Sequence, residues 1–116
     1  MKLRRIAEIA AEQAELSKHH YKHGAVIFRQ GKVISKGYNE TKRGFSGYRG
    51  YWEGSLHAEI AALVKSRMDV SGCNILVYRR GRNNSRPCAL CMAAIQAAGL
   101  KTLFYTQDGE IVKEKI

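Results

Sequence analysis

Apolar residues recur at Ile6, Ile9, Ala10 and Leu16 while Arg5, Glu8, Glu12 and Glu15 take the other faces, a spacing that predicts an amphipathic helix over roughly the first twenty residues. Such a helix covers one face of a sheet. The runs 24–28 and 32–37 are apolar and partly β-branched, and Arg29-Gln30-Gly31 separates them, so an antiparallel hairpin follows. From Asn39 to Gly54 the periodicity is lost. Lys42-Arg43-Gly44-Phe45 and Tyr48-Arg49-Gly50-Tyr51-Trp52 are rich in glycine, aromatic rings and positive charge, the composition of a long functional loop. Ser55 suits a helix N-cap, and Leu56, Ile60, Leu63, Val64 and Met68 form one helical stripe, which starts a second helix just before His57. Residues 74–79 predict a strand, 81–86 a polar loop, and 87–98 a helix with Pro87 in its first turn and Gly99 as its stop. Another strand is expected over 100–106, and Asp108-Gly109 predicts a tight turn into a short antiparallel edge strand over 111–113. The order α-β-β-α-β-α-β-β predicts an α/β fold, a three-layer α-β-α sandwich around a mixed sheet of about five strands.

The chain of 116 residues has room for one compact domain, 1–116, and not for a second. Its 45% apolar content and single proline are those of a globular chain. Twenty basic residues against ten acidic ones give a net charge of +10. That balance favours nucleotide phosphates, polynucleotide or an acidic surface, and it serves solubility equally well. No apolar run approaches the roughly 20 residues that span a bilayer, and Met1-Lys2-Leu3-Arg4-Arg5 leads into an Ala/Glu-rich stretch instead of an apolar signal core. A cytoplasmic protein without a membrane partner is expected. Three cysteines are an odd count, and the Cys-x-x-Cys spacing of Cys88 and Cys91 suits a metal or redox centre in a reducing compartment better than a disulfide framework.

His57-Ala58-Glu59 opens one predicted helix and Pro87-Cys88-Ala89-Leu90-Cys91 the next, each after a segment that ends at the same sheet edge. Cys88 and Cys91, three apart on a helix, turn their sulfurs to one side within reach of one ion. His57 supplies a third ligand. The positive end of a helix dipole favours the thiolates that Zn2+ requires, and three protein ligands leave the fourth tetrahedral position to a water made more acidic by the metal. Side chains tilt toward a helix N-terminus, so a helix aimed end-on at the metal presents both His57 and Glu59. A carboxylate there, not itself a ligand, can carry the water proton to a leaving ammonia.

These residues resemble the cytidine and deoxycytidylate deaminase superfamily, whose signature is His-x-Glu with Pro-Cys-x-x-Cys. Gly24-Ala25-Val26 and Gly37-Tyr38-Asn39 are also similar to segments of that family, so the resemblance covers nearly the whole chain. It implies the cytidine deaminase type of sandwich, with zinc on His57, Cys88 and Cys91, Glu59 as the catalytic acid and base, and Asn39 and Ala58 as substrate-binding residues. It also implies a homo-oligomer. A histidine as first ligand is the pattern of deoxycytidylate, guanine and tRNA-adenosine deaminases, whereas the predicted hairpin at Asp108-Gly109 resembles free-cytidine enzymes.

Several features have plainer explanations. Cys-x-x-Cys alone also marks structural zinc or a redox pair. A closed structural site needs a fourth ligand, for which Cys73, His19, His20 and His23 are the spare candidates. The three histidines are accounted for by a helix C-terminus, and Cys73 by the core. Tyr48, Tyr51 and Trp52, interleaved with Arg43 and Arg49, suit base stacking and phosphate pairing, or equally a loop anchor or subunit contact. Arg79, Arg80, Arg82 and Arg86 lie close enough to the metal helix to attract a phosphate, and each alone is explained by solvation. The leading function is hydrolytic deamination of a cytosine base in a nucleoside or nucleotide. The alternatives are a deaminase of bases in single-stranded DNA or RNA, adenine or guanine as the target, and a non-catalytic zinc-stabilised nucleic-acid-binding module, which would have no use for Glu59.

Overall fold

The computed structural model describes residues 3–18, 21–41, 55–66, 68–81 and 84–116. Its elements are α1 (Leu3–Glu15), β1 (His23–Arg29), β2 (Lys32–Tyr38), β3 (Glu40–Thr41), β4 (Ser55–Leu56), α2 (Ala58–Lys65), β5 (Asn74–Arg79), α3 (Ala89–Ala97), β6 (Thr102–Gln107) and β7 (Glu110–Lys115). The main sheet has the order β2-β1-β5-β6-β7. β1 is antiparallel to both neighbours, β5 and β6 are parallel, and β6 and β7 antiparallel, so the sheet is mixed as expected.

Both predicted tight turns are present. Gln30 and Gly31 have φ of 51° and 80°, and Asp108 and Gly109 of 52° and 83°, the pair of positive values that a two-residue hairpin turn needs to match strand twist. Alternation then sorts the strands' side chains between two faces. Val26, Phe28, Leu76 and Phe104 pack with Ile6 and Ala10 of α1. Ala25, Ile27, Ile75, Val77 and Leu103 pack on the other face with Ala58 and Ala62 of α2 and Ile95 of α3. None of the described helices is long and apolar enough to cross a membrane.

Five boundaries differ from the sequence pattern. The first helix ends at Glu15, and Leu16 is exposed. Ser17 instead donates from its hydroxyl to the Asn39 carbonyl at 2.9 Å, a tertiary hydrogen bond that draws the chain out of the helix. The buried stripe of α1 is Ile6, Ala10, Gln13 and Ala14, built largely from small residues, because the helix backbone lies against Gly24, where an added Cβ would collide with the Ala10 carbonyl oxygen. Ser55 is not the cap of α2. Ser55 and Leu56 pair with Thr41 and Glu40 as β4 and β3, and His57 takes the N-cap. The helix ends at Lys65, leaving Met68 beyond it and exposed. Pro87 precedes α3, whose N-cap is Cys88, and Gly99 at φ 79° follows its end. The last strand runs longer than its apolar core, over Glu110–Lys115. The basic aromatic segment with Lys42, Arg43, Tyr48, Arg49, Tyr51 and Trp52, and also Arg82, His19 and His20, lie outside the described residues.

Candidate metal centre

An N-cap side chain ordinarily turns back onto the amides of its own first turn. His57 and Cys88, the N-caps of α2 and α3, do not do so. Their backbones are extended, with ψ of 151° and 170°, and the side chains converge between the two helix starts. His57 Nδ1 lies 3.3 Å from Cys91 Sγ and 3.8 Å from Cys88 Sγ. The ligand atoms of all three residues fall within 4.8 Å of one another. Tetrahedral zinc bonded at about 2.3 Å to sulfur and 2.1 Å to nitrogen holds its ligands about 3.5–3.8 Å apart. One nitrogen and two sulfurs at these separations fit zinc. Among the described residues no further His, Cys, Asp or Glu joins the cluster. Cys73 is buried in the apolar core with Ile75, Val77 and Ile95.

Glu59, the second residue of α2, is buried to 3% exposure. Its Oε1 has no hydrogen-bond partner. Burial drives the carboxyl above its ordinary pKa, while its own backbone N–H and the Cys91 side chain pull partly back. A carboxyl displaced upward holds and releases a proton nearer neutrality, as a general acid and base requires. The cavity in front of it has a volume of about 150 Å³, with His23, His57, Glu59, Arg79, Ser85 and Cys88 in its wall. Pockets that enclose a drug-sized ligand hold roughly 300–1,000 Å³. This one is smaller, with room for little more than a flat ring. A larger cavity, about 540 Å³, lies by Leu3, Phe28 and Phe104 on the α1 side and contains none of these groups.

The other expected site residues are placed differently. Ala58 is the buried first residue of α2, where backbone N–H groups have no intrahelical acceptor. Asn39 is buried just after β2 and is not in the cavity wall. Its side-chain oxygen accepts the His23 N–H at 2.9 Å and its amide donates to the Tyr21 carbonyl at 2.7 Å, which fixes the start of β1.

A model of the family described as the cytidine and deoxycytidylate deaminase zinc-binding region matches residues 1–107. The chain belongs to this family. Membership in this zinc-binding deaminase family agrees with the ligand geometry, and with zinc as the metal. A tRNA-specific adenosine deaminase of Rickettsia bellii (strain RML369-C) is 37% identical over 100 residues, 83% of this chain and 63% of that protein. The chain thus spans under two thirds of that relative. The dCMP deaminase of cyanophage S-TIM5, solved in complex with dCMP and dUMP, superposes with a TM-score of 0.70 at 25% identity, over 89% of this chain and 79% of that one. The cytidine deaminase of Burkholderia pseudomallei shares the fold with a TM-score of 0.75 at 20% identity, over 99% of this chain and 93% of that one.

Three groups of the cavity wall have protein contacts or placements that the residue pattern does not give. His23 belongs to β1 and stands in the wall instead of at a helix end. Ser85 is buried, donates to the Val77 carbonyl at 2.8 Å and accepts the Thr106 N–H at 2.6 Å. It pins the loop before Cys88 to the ends of β5 and β6. Arg86 forms a two-pronged pair with Glu114 at 3.0 and 2.8 Å, tying the same loop to β7. The alternating exposure of 110–115 carried no sign of that contact.

Proposed function

We propose that residues 1–116 act as one deaminase domain that converts a cytosine base, in a nucleoside or nucleotide, to uracil with release of ammonia. The observation that carries this reading is Glu59: a buried carboxylate with a partnerless oxygen beside a three-ligand metal site. A purely structural zinc site gives no reason to bury it there. Held by His57, Cys88 and Cys91, a metal would supply Lewis-acid activation of a water, lowering its pKa. Glu59 takes a proton from that water as its oxygen bonds to C4 of the base. Glu59 gives that proton to ring N3, then carries a second one from the new C4 hydroxyl to the amino nitrogen, so that the C4–N bond breaks and ammonia leaves. The exchange balances as one water in, one ammonia out.

Ala58, in the first turn of α2, offers its backbone N–H to the base, and Asn39 serves the substrate site through the start of β1, which its side chain fixes beside His23. Cytosine as target is supported by the likeness to a dCMP deaminase at 25% identity and by an antiparallel β6–β7 ending. The 37% identity to a tRNA-specific adenosine deaminase makes adenine the second target to test. A cytoplasmic homo-oligomer in nucleotide metabolism belongs to the same proposal, and exposed Val64, Met68 and Leu90 are apolar groups that a subunit contact would cover. Ammonia release from cytosine, adenine and guanine nucleosides, their monophosphates and single-stranded oligonucleotides provides the test. Turnover of the cytosine compounds is expected; ammonia from adenine compounds alone overturns the assignment.

A further inference from the structure

β1 and β5 are antiparallel neighbours, and on the α2/α3 side their cross-strand pairs are Ile27 with Ile75, Ala25 with Val77, and His23 with Arg79. The first two pairs are core. At the third, the same alternation delivers an imidazole and a guanidinium to the cavity wall. A cation in line with the core is costly unless it is paired. Its neighbours are paired, Arg80 with Glu15 at 3.6 Å and Arg86 with Glu114 at 2.8 Å. Arg79 has no ion pair among the described residues. The Tyr21 ring, 5.0 Å from centroid to guanidinium, covers it, and its Nε is buried without a hydrogen-bond partner. Among the described residues the buried side-chain nitrogen and oxygen atoms without a partner are that Nε and Glu59 Oε1, and both side chains line the same cavity. Polar interiors are otherwise satisfied, so orphans among the described residues single out groups that can serve a ligand.

We infer that Arg79 is the specificity-determining residue of this cavity and takes the phosphate of a nucleoside monophosphate whose base lies at the metal end; this rests on the deaminase reading above. A cavity with room for one ring leaves sugar and phosphate at the mouth. A planar guanidinium matches phosphate oxygens in pairs, and a stacked aromatic ring holds it in place before the ligand arrives. The net charge of +10 draws anions to the chain. A phosphomonoester, at about −1.5 to −2 near neutral pH, answers an arginine with no ion pair among the described residues more strongly than a diester link with a single charge.

The test compares kcat/KM of the zinc-loaded protein for cytidine, deoxycytidine, their 5′-monophosphates and a short cytosine-containing single-stranded oligonucleotide, in wild type, Arg79→Gln and Arg79→Lys. Calorimetry with uridine and deoxyuridine and their 5′-monophosphates runs beside it. Wild type is expected to prefer the monophosphates. The nucleotide-to-nucleoside ratio should fall about 10- to 150-fold in Arg79→Gln, the worth of hydrogen bonds to a charged group, with partial recovery in Arg79→Lys. Equal kcat/KM for nucleoside and nucleotide in wild type, a ratio unmoved by Arg79→Gln, or turnover confined to the oligonucleotide overturns the inference. Should no cytosine compound react, the cytosine reading fails and calorimetry decides this one: monophosphate binding that is lost in Arg79→Gln upholds it, and equal binding of nucleoside and monophosphate overturns it.

Discussion

Replacing Glu59 by glutamine should make the protein more stable and nearly inactive. The substitution keeps shape and removes a charge from a side chain that is 3% exposed and has an oxygen without a partner. Glutamine stays polar, so what it relieves is the extra cost of burying the ionised form, at least about 1–3 kcal/mol for an unsatisfied charged group. At about 2.1 cal/mol/K per residue, 116 residues give an unfolding entropy of about 0.24 kcal/mol/K, so the metal-free variant should melt about 4–12 °C above metal-free wild type at neutral pH. The sign of the pH dependence follows from the upward displacement of the carboxyl from 4.5. Below that value Glu59 is protonated in both folded and unfolded chains, and the penalty is absent. As pH rises, the unfolded chain ionises first, and stability is lost until the folded carboxyl ionises too. The Tm difference between Glu59→Gln and wild type should therefore be small at pH 4 and widen toward neutrality. Turnover should fall about 10²- to 10⁴-fold, the contribution of a positioned acid and base. Calorimetric melts across pH and ammonia release check the two halves. A fully active variant, or a Tm difference that ignores pH, refutes the assignment of Glu59 as a buried proton carrier.

Metal analysis of purified variants should find about one zinc per chain in wild type and Glu59→Gln, and strong loss in His57→Ala, Cys88→Ala and Cys91→Ala. Cys73→Ser should keep both zinc and activity while losing about 1–3 kcal/mol in urea unfolding, because it puts a hydroxyl into an apolar cluster; loss of its metal would mean a closed, structural site. Gly37→Ala should lower stability by about 1–3 kcal/mol and weaken zinc binding, since the new Cβ would lie 2.6 Å from the backbone nitrogen of Ala62 in the helix that carries His57 and Glu59; an unchanged melting curve would contradict this packing.

Local chemistry made much of this legible in the sequence. Gln30-Gly31 and Asp108-Gly109 announce their hairpins because few residues accept a positive φ, and Cys88, Cys91 and His57 announce a metal because few other chemistries use that spacing. Contacts between distant segments were harder to see. Ser55 is a sound cap by composition, yet Ser55 and Leu56 are taken into a strand pair with Glu40 and Thr41, and the cap passes to His57. The large apolar residues suggested one face for α1, while its buried face depends on Ala10 and Ala14 meeting Gly24. His23 suits a helix-end cation only if the helix reaches it, and α1 stops at Glu15. Arg79 and Arg86 are alike in sequence; one is held by Glu114 and the other is not, a distinction set by the register of strands far apart in the chain.

The placement of the metal ligands also explains why the site can be rigid on short helices. α2 has eight residues and α3 nine, lengths too short to be stable alone in water, so packing must hold them. α2 is anchored by Ala58, Glu59, Ile60, Ala61 and Ala62, all buried, and by the Ser35 hydroxyl donating to the Ala62 carbonyl at 2.7 Å. The start of α3 is fixed by Ser85 and by the burial of Cys91 and Ile95. With both N-cap side chains turned away from their own amides, His57, Cys88 and Cys91 would hold a metal between the two helix starts and so would tie α2 to α3. Metal and fold are then linked: whatever stabilises the bound ion also stabilises α2 against α3, and the unmet donors and acceptors that remain in the cavity wall are those left for the substrate.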